Sequence, residues 1–100
     1  MVKQVTIWKL QDKCFGPNLG EIKGNIKSNF EQLKGKVPGL EHIEVTVDCM
    51  SSSNGDVIMT AEFEDEISLK QRQSNEYWGA ALKQTVVPFV DETTHVEFVV

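Results

Sequence analysis

The sequence is poor in what most chemistry-bearing signatures need. It has two histidines and two cysteines, Cys14 and Cys49, far apart and at no spacing that holds a metal or runs a redox exchange. Free thiols are therefore expected, as in a reducing compartment. No apolar run approaches the roughly 20 residues a membrane helix needs. The N-terminus enters a strand pattern without a basic region and apolar signal core, so a cytoplasmic location is expected. Basic residues are outnumbered, ten against fifteen acidic, for a net charge of -5. That argues against phosphate-backbone binding, which needs a clustered positive surface. Lys23, Lys27, Lys34 and Lys36 do gather in one stretch, but Glu21 and Glu31 are interleaved with them, as on a solvated helix face. No glycine-rich loop of phosphate-binding form, nucleophile elbow or nucleotide-cofactor pattern is present.

What is there is the ordinary composition of one globular domain, residues 1–100. Lys3 to Leu10 reads as a strand with apolar residues on both faces, Val5 and Ile7 on one and Trp8 and Leu10 with Thr6 on the other. Gln11 to Gly20 is a loop by turn chemistry. From Glu21 to about Leu33 the stripe Ile22, Ile26, Phe30, Leu33 marks an amphipathic helix, weakened by Gly24 and therefore reliant on packing. Gly35 is placed to cap it and Pro38 to stop it.

His42 to Cys49 alternates as a half-buried strand, and Val57 to Phe63 does the same. Between them Ser51 to Asp56 carries Asn54-Gly55, which predicts a mobile hairpin turn of no function. Glu64-Asp65-Glu66 opens a short helix with Ile67 and Leu69 as its apolar contacts. Ser74 or Asn75 caps a further helix over about Glu76 to Val86, ended by Pro88. Thr93 to Val100 is the last strand. The order βαββαβ predicts an α+β, ferredoxin-like fold with a four-stranded antiparallel sheet and helices on one face. The other face would carry Val5, Ile7, Ile58 and Val96, and a bare apolar sheet is an association surface, so a homodimer through it is expected.

At this point the residues resemble the stress-responsive dimeric α/β-barrel (Dabb) family. Val2 to Leu10 is similar to the family's opening strand, with Gln4 where members commonly carry a histidine. Leu33 to Leu40 is similar to its helix exit and Pro-Gly-Leu turn, Phe63 to Leu69 to its third strand and acidic helix start, and Glu97-Phe98 to its last strand. The resemblance covers essentially the whole chain and implies a dimeric α/β barrel. In place of the family's His-Pro-x-His stands Ser74-Asn75-Glu76-Tyr77. In a plant polyketide cyclase of this family the second histidine of that motif acts as a base with a tyrosine six residues earlier. Those positions here are Tyr77 and Gln71. An amide does not titrate and a phenol is a poor base at neutral pH, so the cyclase chemistry does not carry over and no catalytic residue is expected.

The resemblance implies a cavity between sheet and helices. By strand parity Gln4, Thr6, Trp8, Ile43, Met59 and Ala61 would line it, with Gln71, Tyr77 and Trp78 from the helices. Gln4, Trp8, Met59, Gln71, Tyr77 and Trp78 are thus the candidate contacts for a small apolar or aromatic ligand. Against this stands the simpler possibility that Trp8, Met59 and Trp78 only fill the core. His42 is expected to be exposed and His95 to be structural, with no metal site. Arg72 and Lys83, the cations nearest Tyr77 in sequence, are expected to be solvated. The functional expectation is a homodimeric, non-catalytic protein of the stress-response type that binds a small molecule without a cofactor. The alternative is a cofactor-free cyclase, isomerase or monooxygenase.

Overall fold

The structure, a computed structural model, describes residues Met1 to Val100. Strand β1 (Val2–Leu10) leads through a short 3-10 turn into helix α1 (Leu19–Glu31). Strands β2 (Leu40–Thr46) and β3 (Val57–Phe63) follow, then the short helices α2 (Glu66–Gln71) and α3 (Glu76–Ala81), and finally β4 (Val90–Val99). All pairings are antiparallel, in the order β2-β3-β1-β4. This is the ferredoxin-like arrangement expected from the alternation of periods.

Strand parity decides the two faces. On β1, Val2, Gln4, Thr6, Trp8 and Leu10 are buried beneath the helices, while Ile7 and Lys9 point the other way and are exposed. On β3, Val57, Met59, Ala61 and Phe63 are buried on the helix side. Ile26 and Phe30 of α1 meet them with no exposure at all. A ladder of rings runs through the middle. Trp8 lies 5.2 Å from Phe30, and Phe30 lies 5.4 Å edge-on to Trp78. Each such pair contributes about 0.5–1.5 kcal/mol beyond its buried area.

The chain leaves α1 through Gly35 and turns into β2 at Gly39, the two glycines with positive φ. At Gly39 glycine is required twice over, because a Cβ there would also collide with the Ser68 side chain. Asp65 caps α2 by accepting from Ser68 N at 2.7 Å, and Asn75 caps α3 by accepting from Tyr77 N and Trp78 N.

Four local expectations are corrected. β2 stops at Thr46, ten residues before β3, and neither Asn54 nor Gly55 has positive φ, so Asn54-Gly55 forms no tight hairpin turn. The connection is instead tied down at its end. Asp56 N donates to Trp8 O at 2.9 Å, and the Asp56 carboxylate accepts from Leu10 N at 2.9 Å. Ile67 is exposed, because Asp65 sets the helix phase that buries Leu69. The helix after Asn75 stays α-helical only to Ala81 and continues as a π turn over Leu82–Val86, ahead of Pro88. β4 begins earlier than read, at Val90, where a register shift opposite Lys9 and Leu10 lets the strand join.

Candidate functional site

The helices cover β2, β3 and β1 but leave β4 exposed almost throughout. At the boundary, where β1 passes under α2, three polar side chains meet. Gln4 projects from β1 and is 2% exposed; Glu97 lies opposite it on β4; Arg72 reaches in from the turn after α2 and is 8% exposed. Gln4 Nε2 donates to Glu97 Oε2 at 3.2 Å, and Arg72 Nη2 stands 3.6 Å from the same oxygen. Arg72 Nη1 donates to Leu69 O. The guanidinium lies over the rings of Trp78, at 5.6 Å, and Phe63, at 6.0 Å, a placement that stabilises a cation on apolar ground. Burial pushes the Arg72 pKa down, and the Glu97 charge pulls it back up.

The cluster is incompletely satisfied. Arg72 Nε, Gln4 Oε1 and, farther along β1, Trp8 Nε1 are buried without a hydrogen-bond partner. Buried polar atoms of this kind are uncommon, because each unmet group costs on the order of 1–3 kcal/mol. Outside the cluster lies a crevice of about 330 Å³ whose wall includes Leu69 and Glu97, both contacts of Arg72. On its other side Arg72 borders a groove of similar size with Gln71, Ser74 and Asn75.

The six candidate contacts separate into two groups. Gln4, Trp8, Met59 and Trp78 share the buried helix-facing side of the sheet, with Trp8 and Met59 1% exposed. There the aromatic ladder fills the space, and none of these four lines an open cavity among the principal ones. Gln71 and Tyr77 face outward instead, contrary to the expectation that they line the interior. For Tyr77 the reason is the Asn75 cap: it starts α3 in a phase that buries Trp78 and Ala81 and turns Tyr77 to the surface, where Lys36 sits 5.7 Å from its ring.

Arg72 is the residue that sequence reading missed. It is buried on Trp78 and does not approach Tyr77, whereas Lys83 is exposed as expected. Its only signal was position, one residue beyond the family's tyrosine position at Gln71. His42 is exposed beside Glu44, and His95, on the helix side of β4, is exposed as well. No three His, Cys, Asp or Glu side chains come together in a metal-binding group, and Cys14 and Cys49 are both free. No helix is long and apolar enough to cross a membrane.

Known structures share this architecture at low identity. A dimeric protein of unknown function with a ferredoxin-like fold from Bacteroides fragilis superposes with a TM-score of 0.88 at 20% identity, over 97% of this chain and 93% of its own. A dimeric ferredoxin-like protein of unknown function from Thermobifida fusca gives 0.82 at 17%, over 99% and 90%. SnoaB, a cofactor-independent oxygenase from Streptomyces nogalater, gives 0.70 at 10%, over 99% and 91%. At these identities the likeness concerns the fold. No curated protein sequence matches the chain. The sequence itself fits the model of the stress responsive A/B barrel domain, Dabb, from residue 2 to residue 100. The opening strand, the Pro-Gly turn and the closing strand all fall inside that match, and the chain belongs to the Dabb family.

Proposed function

We propose that this chain works as a homodimer that holds a small molecule with an apolar or aromatic body beside its helix-covered sheet face, without transforming it. The observation that carries the binding reading is the buried, under-partnered pair Arg72 and Gln4 behind the crevice at Leu69 and Glu97. Polar atoms withdrawn from water and left unmet are stabilised by an incoming partner. Dimerisation is supported by the opposite sheet face. Ile7, Val96 and Phe98 are exposed there, with Val5 and Ile58 half-buried beside them, and no helix covers them. Related folds from Bacteroides fragilis and Thermobifida fusca are described as dimeric.

The second reading, a cofactor-free enzyme, is favoured by one observation. Arg72 is a buried cation with an unpartnered N–H beside the Gln4 amide, a grouping that stabilises negative charge developing on a bound substrate. The Streptomyces nogalater oxygenase shows that the fold can carry cofactor-independent chemistry. The absence of a histidine from positions 4 and 77 weighs for binding.

Native mass spectrometry of the purified protein tests the proposal. The expected spectrum shows a dimer with a substoichiometric small-molecule adduct that is lost on collisional activation. A bare 11.3 kDa monomer at micromolar concentration would remove the dimer from the proposal.

A further inference from the structure

A guanidinium offers five N–H donors, and its Nε–H and one Nη–H lie parallel along one edge, a spacing matched by the two oxygens of a carboxylate. In Arg72 that edge is poorly occupied. Nη2 faces a single Glu97 oxygen at 3.6 Å, beyond hydrogen-bond length, and Nε has no partner. Glu97 sits on the exposed strand β4 with 37% of its side chain in solvent. It can therefore leave at little cost, whereas Arg72, enclosed by Phe63 and Trp78, cannot. The crevice outside continues over the apolar side chains of Val2, Leu69 and Val99, with the Lys70–Glu66 ion pair at its rim.

Building on the small-molecule reading above, we propose that this site selects a small monocarboxylic acid with an apolar body. The ligand carboxylate takes both Nε–H and Nη2–H of Arg72 and receives the Gln4 amide, Glu97 swings into solvent, and the apolar body lies along the crevice. A hydroxyl next to the carboxylate donates to Gln4 Oε1, the other unmet atom of the Arg72–Gln4 pair. An anion is required because arginine keeps its charge when buried, so once Glu97 moves away a neutral head group leaves the cation uncompensated. Glu97 is in this sense an internal occupant of the site, and it competes with the ligand.

Calorimetric titration of the full-length protein with hexanoate, 2-hydroxyhexanoate and hexanamide tests the inference. Hexanoate is expected to bind, hexanamide about tenfold more weakly or worse, and 2-hydroxyhexanoate several-fold more tightly, in line with one charge-assisted and one neutral hydrogen bond. Glu97→Gln is expected to tighten hexanoate several-fold by removing the competitor. Arg72→Lys is expected to weaken it about tenfold, and Gln4→Leu, a second variant in case Arg72→Lys fails to fold, to abolish the gain from the hydroxyl. Equal binding of hexanamide and hexanoate, or weaker hexanoate binding by Glu97→Gln, overturns the carboxylate inference and leaves small-molecule binding standing. No binding of any probe to either wild type or Glu97→Gln overturns both.

Discussion

The Glu31 carboxylate stands where a neighbouring strand would: its Oε2 accepts the Val45 backbone N–H at 2.9 Å on β2, an outer strand of the sheet. The same oxygen holds Lys27 Nζ at 2.9 Å, and Lys27 donates in turn to Val45 O. One ion pair on α1 thus covers both backbone groups of Val45. Exposed edges invite pairing with other chains, and side chains that occupy the edge suppress it. The lysine-rich face of α1, read as solvated, therefore does structural work at one point.

This pair gives the fold a dependence on acid. The Lys27 hydrogen bond, and after it the Val45 N–H, hold the Glu31 carboxyl below its ordinary 4.5. A carboxyl lowered in the folded chain adds stability above its unfolded-state value, and that stability fades as pH falls through the folded-state value. Glu31→Ala is expected to cost about 0.5–1 kcal/mol at neutral pH, the pair being largely solvent-screened, and nothing well below pH 4. Urea unfolding of both proteins at several pH values checks it; a constant difference down to pH 3 would show that the carboxylate is not the source.

Gly39→Ala should destabilise the protein by about 1–3 kcal/mol, since it meets both a positive φ and the Ser68 side chain. Gly35→Ala, with a similar φ but open space around it, should cost less, about 1 kcal/mol. Denaturation midpoints rank the two, and Ser68→Gly should recover part of the loss at Gly39 only.

The β2–β3 connection should divide at its last residue. Replacing Ser51, Ser52 and Ser53 by glycine should leave the melting temperature nearly unchanged, as all three are exposed. Asp56→Ala removes the acceptor for Leu10 N and should cost about 1 kcal/mol. Equal effects of the two changes would mean that the serines carry contacts of their own.

Ile58→Asp places a charge at the centre of the helix-free sheet face and should dissociate or unfold the dimer, whose interface should bury on the order of 2,000 Å². Light scattering distinguishes the outcomes. An intact dimer would point to an association surface other than this face. Tyr77→Phe, by contrast, should change neither mass nor stability, because the ring lies at the surface.

How much could be read from the sequence follows from the range over which each signal acts. Alternation in Val57 to Phe63 and the stripe through Ile26 and Phe30 report neighbouring positions on one element, so the strands, the main helix and the buried face were legible, while β2 ends and β4 begins three residues earlier than the alternation placed them. Gly35 and Pro38 marked the exit because backbone sterics are local. The turn around Asn54-Gly55 was misread, because turn chemistry states what a dipeptide tolerates while the end of β2 at Thr46 fixes what it must span. Beyond Gln71 the chain passes through a tight turn at Arg72–Ser74 and restarts at the Asn75 cap, and no periodicity carries helix phase across such a break. The phase put Tyr77 outside and Trp78 inside, and it brought Arg72, which the sequence presents as one more surface cation, against Trp78, Glu97 and Gln4. Which polar groups are withdrawn from water together depends on elements up to 93 residues apart, as Gln4 and Glu97 are, and only the packed tertiary structure sets their distance.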